Sequence, residues 1–336
     1  MEDIDKLKGI DWSELIVANH GWIEKHLHVH PINSEKKITA RFYSVPYAGI
    51  HQEVLTLAGR IADSIEHYVF DEASLAEMRK EGITPFRKAA EFFGDTNPIV
   101  DGKYGELILY ALSEFVLRTP MVTHKITSLT NVNDQVKGGD GIFFGDYGGR
   151  LSILIGESKI YGDFSKALES AFDSLNRFNE AYSGSALSHE MFIARSNISK
   201  NFDIDTLDLI YKAFTPGTKL YNECVKTHPV LIIFQDEYLE KIQVDSMTKS
   251  DAEALFSAWL ETKRNEICQI ISSKYKRYPK MASYILDFFL IPMTDVSHFK
   301  KTLYKAIHAI EFKEPVKKTK AKRVVKAAAT GTKNKK

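Results

Sequence analysis

The sequence has little of several features that assign a protein to a common class. Its two cysteines, Cys224 and Cys268, form no CxxC or Cys/His zinc spacing. This argues against a disulfide framework and against a zinc finger, and it fits a reducing compartment. The longest apolar run, from Tyr284 to Met293, is interrupted by Asp287 and is shorter than the ~20 residues that cross a bilayer.

Several catalytic and targeting signatures are also missing. No G-x-x-x-x-G-K-[ST] loop occurs, so we do not expect this chain to bind or hydrolyse ATP. No G-x-S-x-G nucleophile elbow and no H-E-x-x-H zinc motif occur. The acidic N-terminus, from Met1 to Asp5, has no signal-peptide pattern. We therefore predict a cytoplasmic protein that does not associate with membranes.

The charges are distributed unevenly along the chain. The net charge is +1, but residues 315–336 hold nine Lys or Arg and no acid, which leaves 36 bases against 44 acids, or −8, elsewhere. Such a tail is typical of a disordered segment that binds polyanions, or of a solvated terminus of little consequence. The acidic remainder indicates that a partner supplies much of any grip on nucleic acid, or that the basic residues cluster.

Helical and strand periodicities alternate along the middle of the chain and predict an α/β fold. Apolar positions at helical spacing predict helices over residues 104–118, 163–178 and 205–214. Apolar runs on both sides of Asp146-Tyr-Gly-Gly predict a β-hairpin, and residues 229–235 are predicted as a further strand. We therefore expect a mixed central sheet flanked by helices.

The chain is predicted to contain four regions. They are an N-terminal α/β region, a core, a helical C-terminal part and a basic disordered tail, over residues 1–95, 96–240, 241–312 and 313–336. In the first region, residues 52–79 are predicted to form a helix. The segment His26-Leu-His-Val-His30 is predicted to be a strand whose histidines form a polar face or, alternatively, bind a metal.

The strand predicted to end near residue 159 carries two charged residues at its end. Glu157 and Lys159 share the parity of Ile153 and Ile155, so we expect them to point to the same face. Burying both charges without a partner would be costly. A divalent cation would remove this cost, because Mg²⁺ is bound through one or two carboxylates and keeps its waters. Asp140, which opens the partner strand, is the second candidate carboxylate.

The Glu-x-Lys pair has a catalytic interpretation and an ordinary one. Lys159, beside a metal ion, would orient the attacking water or stabilise the negative charge that develops during phosphodiester cleavage. The ordinary interpretation is a salt bridge at the surface. Three features favour catalysis: the strand before the pair is apolar, an acid opens the preceding strand, and an amphipathic helix follows at once.

This arrangement resembles the PD-(D/E)xK nuclease superfamily. In that superfamily an acid before or on one strand and a (D/E)-x-K on the next strand form the active site. Here the pattern reads Asp140…Glu157-Ser158-Lys159, and Gly139 stands where the proline of the name would be. The resemblance implies a restriction-endonuclease-like core with Asp140, Glu157 and Lys159 as catalytic residues.

The same resemblance implies a metal centre. Its cofactor would be Mg²⁺ or Mn²⁺, bound by Asp140, by Glu157 and by the backbone carbonyl of Ser158. Many superfamily members also place a glutamate from an upstream helix near the metal. Glu106, in Tyr104-Gly-Glu-Leu-Ile-Leu-Tyr110, matches that position and is predicted to join the metal directly or through a water.

A closer resemblance is to the nuclease subunit of Hachiman anti-phage defence systems, the HamA/AbpA-like family. It extends over roughly residues 105–178 and is clearest in Gly138-Gly-Asp-Gly-Ile-Phe-Phe and Ile155-Gly-Glu-Ser-Lys. It implies a DNA-degrading effector that a superfamily 2 helicase restrains until damaged or unusual DNA appears, with abortive infection as the outcome. Two alternatives stay open: a stand-alone restriction-type endonuclease, and an inactive nuclease fold that serves as a DNA-binding scaffold.

Overall fold

A mixed β-sheet forms the centre of the molecule. The computed structural model describes residues 3–123, 140–180 and 203–314, so all but the first two residues of the predicted tail, and Gly138-Gly139, lie outside it. Its strands are β1 (His28–Val29), β2 (Asn33–Glu35), β3 (Ile38–Ser44), β4 (Tyr47–Ala48), β5 (His51–Gln52), β6 (Met121–Thr123), β7 (Ile142–Asp146), β8 (Leu151–Ile155), β9 (Glu157–Tyr161), β10 (Val225–Gln235) and β11 (Ile285–Met293). The strand order is β1-β3-β11-β10-β8-β7-β6; β2 also pairs with β3, and β9 with β10.

Helices lie on both faces of this sheet. They are α1 (Asp3–Lys8), α2 (Trp22–His26), α3 (Val54–Asp63), α4 (Ile65–Val69), α5 (Glu72–Lys80), α6 (Pro85–Phe93), α7 (Lys103–Leu117), α8 (Phe164–Glu180), α9 (Ile204–Ala213), α10 (Lys219–Glu223), α11 (Glu237–Asp245), α12 (Lys249–Tyr275) and α13 (Val296–His308). In the part of the chain that the structure describes, no helix is long and apolar enough to cross a membrane.

Two hydrophobic cores sandwich the sheet, because side chains along a strand alternate between its faces. One core packs against α3, α7 and α13 and receives Leu231, Ile233, Phe289 and Ile291. The other packs against α8, α11 and α12 and receives Val230, Ile232, Phe288 and Leu290. The prediction of a mixed α/β fold with a central sheet flanked by helices is confirmed.

The predicted hairpin is present. β7 and β8 are antiparallel, with Ile142 opposite Ile155 and Phe144 opposite Ile153. The helix predicted over residues 52–79 is wrong as a single element, since it is divided into α3, α4 and α5. Asp71 accepts a hydrogen bond from the backbone N–H of Ser74 at 2.8 Å and so caps α5 as a separate helix.

β11 is a central strand that was not predicted from the sequence. It is parallel to both β10 and β3, and all but its first residue are buried. A strand buried on both faces is apolar throughout and has no alternation to identify it. The predicted histidine strand is also shorter than expected, because α2 ends at His26 and β1 contains only His28 and Val29.

One charged residue, Asp287, lies in the middle of this apolar strand. Its carboxylate is fully buried and accepts hydrogen bonds from Arg41 Nε at 2.8 Å and from a terminal guanidinium nitrogen of Arg41 at 2.9 Å. The hydroxyl of Tyr147 donates to the same carboxylate at 2.7 Å. Asp287 therefore joins β11 to β3 and to the turn between β7 and β8.

A second polar residue, His228, is buried within β10. Its Nδ1 lies 2.9 Å from the carbonyl oxygen of Ile155, which a neutral imidazole satisfies by donating Nδ1–H. Its Nε2 has no hydrogen-bond partner among the described residues. Burial disfavours the charged imidazolium and lowers the pKa of His228 to about 4.

We expect this histidine to make the protein less stable in acid. Its pKa is about 6.5 in the unfolded chain, so below that pH the unfolded chain binds a proton that the folded protein excludes. Protonation of His228 therefore does not reduce the free energy of unfolding above pH ~6.5. As the pH falls towards 4, the free energy of unfolding decreases by up to about 3 kcal/mol. Urea unfolding between pH 7.5 and 4.5 measures this slope, which should become shallower in His228→Gln than in the exposed control His51→Gln. Equal slopes in both variants would contradict the assignment.

Candidate active site

Glu157 and Lys159 lie on β9, which continues β8 without a change of register along β10. Leu154 is opposite Thr227, and Glu157 is opposite Val230. Lys159 is opposite Ile232, so both charged side chains lie on the sheet face that α8 covers. Lys159 Nζ donates a hydrogen bond to Glu157 Oε1. The predicted common face of the two side chains is confirmed.

The environment of Glu157 is unusual for a carboxylate. Only 3% of the residue is exposed. Burial, followed by the negative charge of Asp140, raises the pKa of Glu157 to about 7, while Lys159 and the hydroxyl of Ser174 on α8 oppose the rise. Glu157 is therefore a carboxylate that a single lysine compensates only in part. A further positive charge beside it would hold it ionised.

Asp140 is fixed to β9 just before β7 begins. Its N–H donates to the carbonyl of Gly156 at 2.8 Å, and its Oδ2 accepts from Ser158 N and Ser158 Oγ, both at 2.7 Å. Gly141 follows at φ +149°, and its carbonyl accepts from Gly156 N at 2.9 Å. The structure thus places the Asp140 carboxylate on the strand that carries Glu157. There it is hydrogen-bonded to Ser158, the residue between Glu157 and Lys159.

The backbone of Ser158 faces the same edge of the sheet as Asp140. The N–H and C=O groups of one residue leave an extended strand on the same side. Because Ser158 N–H is directed at Asp140, its carbonyl is directed to that edge as well. Within the described ranges, β9 pairs with β10 alone, so no other strand covers this edge there.

Helix α7 approaches β9 from the opposite face. A Cβ atom on Gly105 would lie 2.8 Å from Ser158 Oγ and 3.1 Å from Ser158 Cβ, so glycine permits this close contact. Glu106 is the next residue, and its Oε2 accepts from the Tyr68 hydroxyl at 3.3 Å. The pKa of Tyr68 is well above its usual range, first through burial and then through the charges of Glu106 and Asp140.

The predicted residues therefore form two adjoining groups. Glu157 and Lys159 pair on the α8 face, and Asp140 with Ser158 forms the link to the α7 face, where Glu106 lies against Tyr68. The described residues contain no cluster of three or more His, Cys, Asp or Glu side chains that could hold a metal ion. Glu106, Asp140 and Glu157 do not converge as three acids on one point.

Three residues at this site were missed in the sequence analysis. Gly105 allows the contact between α7 and Ser158. Tyr68 donates a hydrogen bond to Glu106, and Ser174 faces Glu157. Gly105 offered a signal, because a glycine inside a helix lowers its stability and marks a close approach. Tyr68 and Ser174 offered none, since their roles depend on which elements pack together.

We expect Gly105→Ala to destabilise the protein although alanine favours helices. The helix gain is about 1 kcal/mol at most. The added Cβ would push against Ser158, and overpacking of this kind costs about 1–3 kcal/mol. Urea unfolding should therefore show a net loss, and displacement of Ser158 should weaken its hydrogen bonds to Asp140.

The chain offers a matched control in Gly59 of α3. A Cβ there would meet nothing within 4 Å, so Gly59→Ala should stabilise the protein. The double variant Gly105→Ala/Ser158→Gly removes the obstructing side chain and should recover part of the loss. If Gly105→Ala is as stabilising as Gly59→Ala, α7 is not packed on β9 as described.

A cleft of about 530 Å³ lies where Lys159 reaches the surface. Its lining includes Ser158, Lys159 and Tyr161 from β9, together with Asp101 and Lys300. Glu157 is thus buried, whereas the side chain of Lys159 is 16% exposed. The site combines a protected carboxylate with a partly exposed cation.

A comparison with protein families identifies the chain. The HamA family model matches residues 19–307, which include strands β1 to β11. This chain belongs to the HamA family. The HamA resemblance given by residues 105–178 is therefore confirmed and extends to both sides of that stretch. No curated protein matched the chain.

Membership of the HamA family supports a role for this chain in Hachiman anti-phage defence. The family match covers the whole central sheet and includes Glu106, Asp140, Glu157 and Lys159. It also covers α2 and α13, which pack into the same hydrophobic core from opposite ends of the chain. Membership of the PD-(D/E)xK superfamily and the division into four regions stay predictions.

Proposed function

We propose that this HamA chain is a metal-dependent deoxyribonuclease, the effector of its defence system. The buried Glu157, paired with Lys159 on the strand to which Asp140 is fixed, carries this proposal. Two carboxylates and a lysine at a sheet edge are costly to assemble, and hydrophobic residues would stabilise the fold as well or better. Such groups persist where chemistry requires them.

The donor atoms at this edge suit a hard divalent cation. Mg²⁺ and Mn²⁺ prefer oxygen ligands, and Mg²⁺ is often bound through only one or two carboxylates and waters. Asp140, Glu157 and the Ser158 carbonyl provide this set, and Glu106 would join it through a water or directly. When bound, the ion would polarise the scissile phosphate and lower the pKa of an attacking water.

The side chains of this chain have separate tasks in the proposed reaction. Asp140 accepts two hydrogen bonds from Ser158, which fix the orientation of its carboxylate. Lys159 lines the cleft and is placed to orient water and to stabilise the charge on the phosphate oxygens. Glu157 holds Lys159 in position by accepting a hydrogen bond from its ammonium group.

We further propose that a partner helicase of superfamily 2 restrains and directs this nuclease. The sequence has no ATP-binding loop, so any ATP-driven step belongs to another chain. Outside residues 315–336 the net charge is −8, which is poorly suited to holding DNA without help. A partner that binds DNA would provide the missing affinity.

A cleavage assay with plasmid and oligonucleotide substrates tests the proposal. The full-length chain is assayed with and without the helicase in Mg²⁺, Mn²⁺ and EDTA. We expect cleavage with either metal, none in EDTA, and control by the helicase. Site-specific cleavage without the helicase would instead indicate a restriction-type enzyme. No cleavage under any condition, together with no metal binding in a titration, would indicate an inactive scaffold and would overturn the proposal.

A further inference from the structure

A second cleft, of about 440 Å³, lies at a different end of the sheet from Lys159. Strands β3, β11, β10 and β8 lie side by side and are parallel to one another, so they all begin at this one end. The cleft is lined by Lys36 and Lys37 before β3, by Arg150 before β8, and by Lys226 near the start of β10. We call it the basic cleft.

The four cations of the basic cleft face no carboxylate in its lining. The other lining residues are Tyr221, Asn222, Cys224, Val225, Ser283 and Ile285. The nearby Glu223 is turned to Lys219, 3.8 Å away. Four positive charges on a body of net negative charge are thus concentrated at one place, which favours an anionic ligand.

Existing contacts hold these cations without neutralising them. Lys37 donates to the carbonyl oxygen of Ala282 at 2.6 Å, and Lys226 donates to the carbonyl oxygens of Tyr221 and Cys224 at 2.5 and 2.9 Å. Lys226 Nζ also lies 4.0 Å from the ring centroid of Tyr221. Within the described part of the chain, Lys36 and Arg150 have no side-chain ion pair or hydrogen bond. No carboxylate in the cleft lining neutralises any of the four charges.

Lys226 is the least exposed of the four cations of the basic cleft. Lys226 is largely buried, and burial lowers its pKa to about 8. An ammonium group in such a position is stabilised when an anion approaches. Lys36, Lys37 and Arg150 are exposed around it, and they come from two different turns. A buried cation with exposed cations on separate turns suits several successive phosphates better than one small anion.

We propose that the basic cleft binds the phosphodiester backbone of DNA and anchors the substrate away from the cleavage site. This inference rests on the proposed function, because the anchored strand is the nuclease substrate. Lys226 and Val230 are four residues apart on β10, which is roughly 13 Å at ~3.3 Å per residue. Glu157 is opposite Val230, so the two sites are a few nucleotides apart.

Salt-dependent DNA binding tests the basic cleft. Lys36→Gln, Lys37→Gln and Arg150→Gln are combined in the full-length chain, in a Glu157→Gln background that prevents cleavage. Binding of labelled duplex and single-stranded DNA is measured by fluorescence anisotropy. The logarithm of the association constant falls linearly with the logarithm of the salt concentration. Losing three phosphate contacts on a duplex should make this slope less steep by about 2.7. The parent should then lose roughly 40-fold more affinity than the variant between about 50 and 200 mM salt.

The matched control removes three exposed cations elsewhere, Arg87, Lys241 and Lys276, each replaced by Gln. It changes the net charge equally and keeps residues 315–336, so its slope should stay close to that of the parent. If the salt dependence of DNA binding is equally steep in both triple variants, the proposal that the basic cleft binds DNA is overturned. Competition by inorganic phosphate as effective, per phosphate, as competition by DNA would also overturn it. With Glu157 restored, the cleft variant should still cleave saturating oligonucleotide, which distinguishes failure of this inference from failure of the nuclease proposal.

Discussion

Glu157→Gln and Lys159→Met are each expected to reduce metal-dependent DNA cleavage by about 10³-fold or more while the protein stays folded. Glutamine keeps the size of Glu157 but removes the charge that holds Lys159 and, in the proposed centre, the metal. Methionine keeps the length of Lys159 but removes its donors. Single-turnover cleavage of an oligonucleotide, with the helicase present, measures both losses.

Controls for this experiment come from exposed helical positions. Glu261→Gln on α12 and Lys241→Met on α11 make the same chemical changes at exposed positions outside the candidate site and should cleave at the parent rate. Circular dichroism and thermal unfolding verify that the two site variants are folded. Cleavage by either site variant at the parent rate would remove Glu157 and Lys159 from the mechanism.

Asp287→Ala should destabilise the protein by about 3–5 kcal/mol, a large part of the stability of a typical domain. The substitution leaves Arg41 as a largely buried cation without its carboxylate and Tyr147 without an acceptor. Desolvation of the unpaired charge, more than loss of attraction, causes the effect. Urea unfolding at neutral pH measures it.

Two further variants show whether burial is the cause. Replacing both partners, as Asp287→Leu/Arg41→Met, should recover most of the stability because no charge is left unpaired. Glu266→Ala breaks the exposed pair with Lys263, 2.8 Å long, and should cost less than about 1 kcal/mol. If Asp287→Ala costs no more than Glu266→Ala, the network around Asp287 is not a buried one in solution.

The elements best predicted from the sequence are those with a local signal. α7 and α8 repeat apolar residues at helical spacing, and the Gly-rich turn between β7 and β8 identifies a hairpin. β11 carries no such signal, because both faces are covered and neither period of two nor period of 3.6 appears. Its position between β3 and β10 depends on pairing with β3, a strand that is distant in the sequence.

For the candidate site, local sequence patterns indicate one of the contacts and not the others. The common face of Glu157 and Lys159 follows from strand parity alone. The position of Asp140 on Ser158 depends on the backbone at Gly141, and the place of Glu106 depends on Gly105 contacting Ser158. Such contacts join segments that are distant in sequence, so local patterns do not contain them.

The position of β11 in the sheet has a consequence for biosynthesis. β3 lies beside β11, yet about 240 residues separate Ser44 from Ile285. At ~5–20 residues per second, the ribosome needs roughly 10–50 s to make the missing strand. During that interval the nascent chain presents β3 without its inner neighbour, and an unpaired strand edge promotes aggregation. We therefore expect productive synthesis of this protein to depend on shielding this early strand, by a chaperone or by its own helices, until β11 has been made.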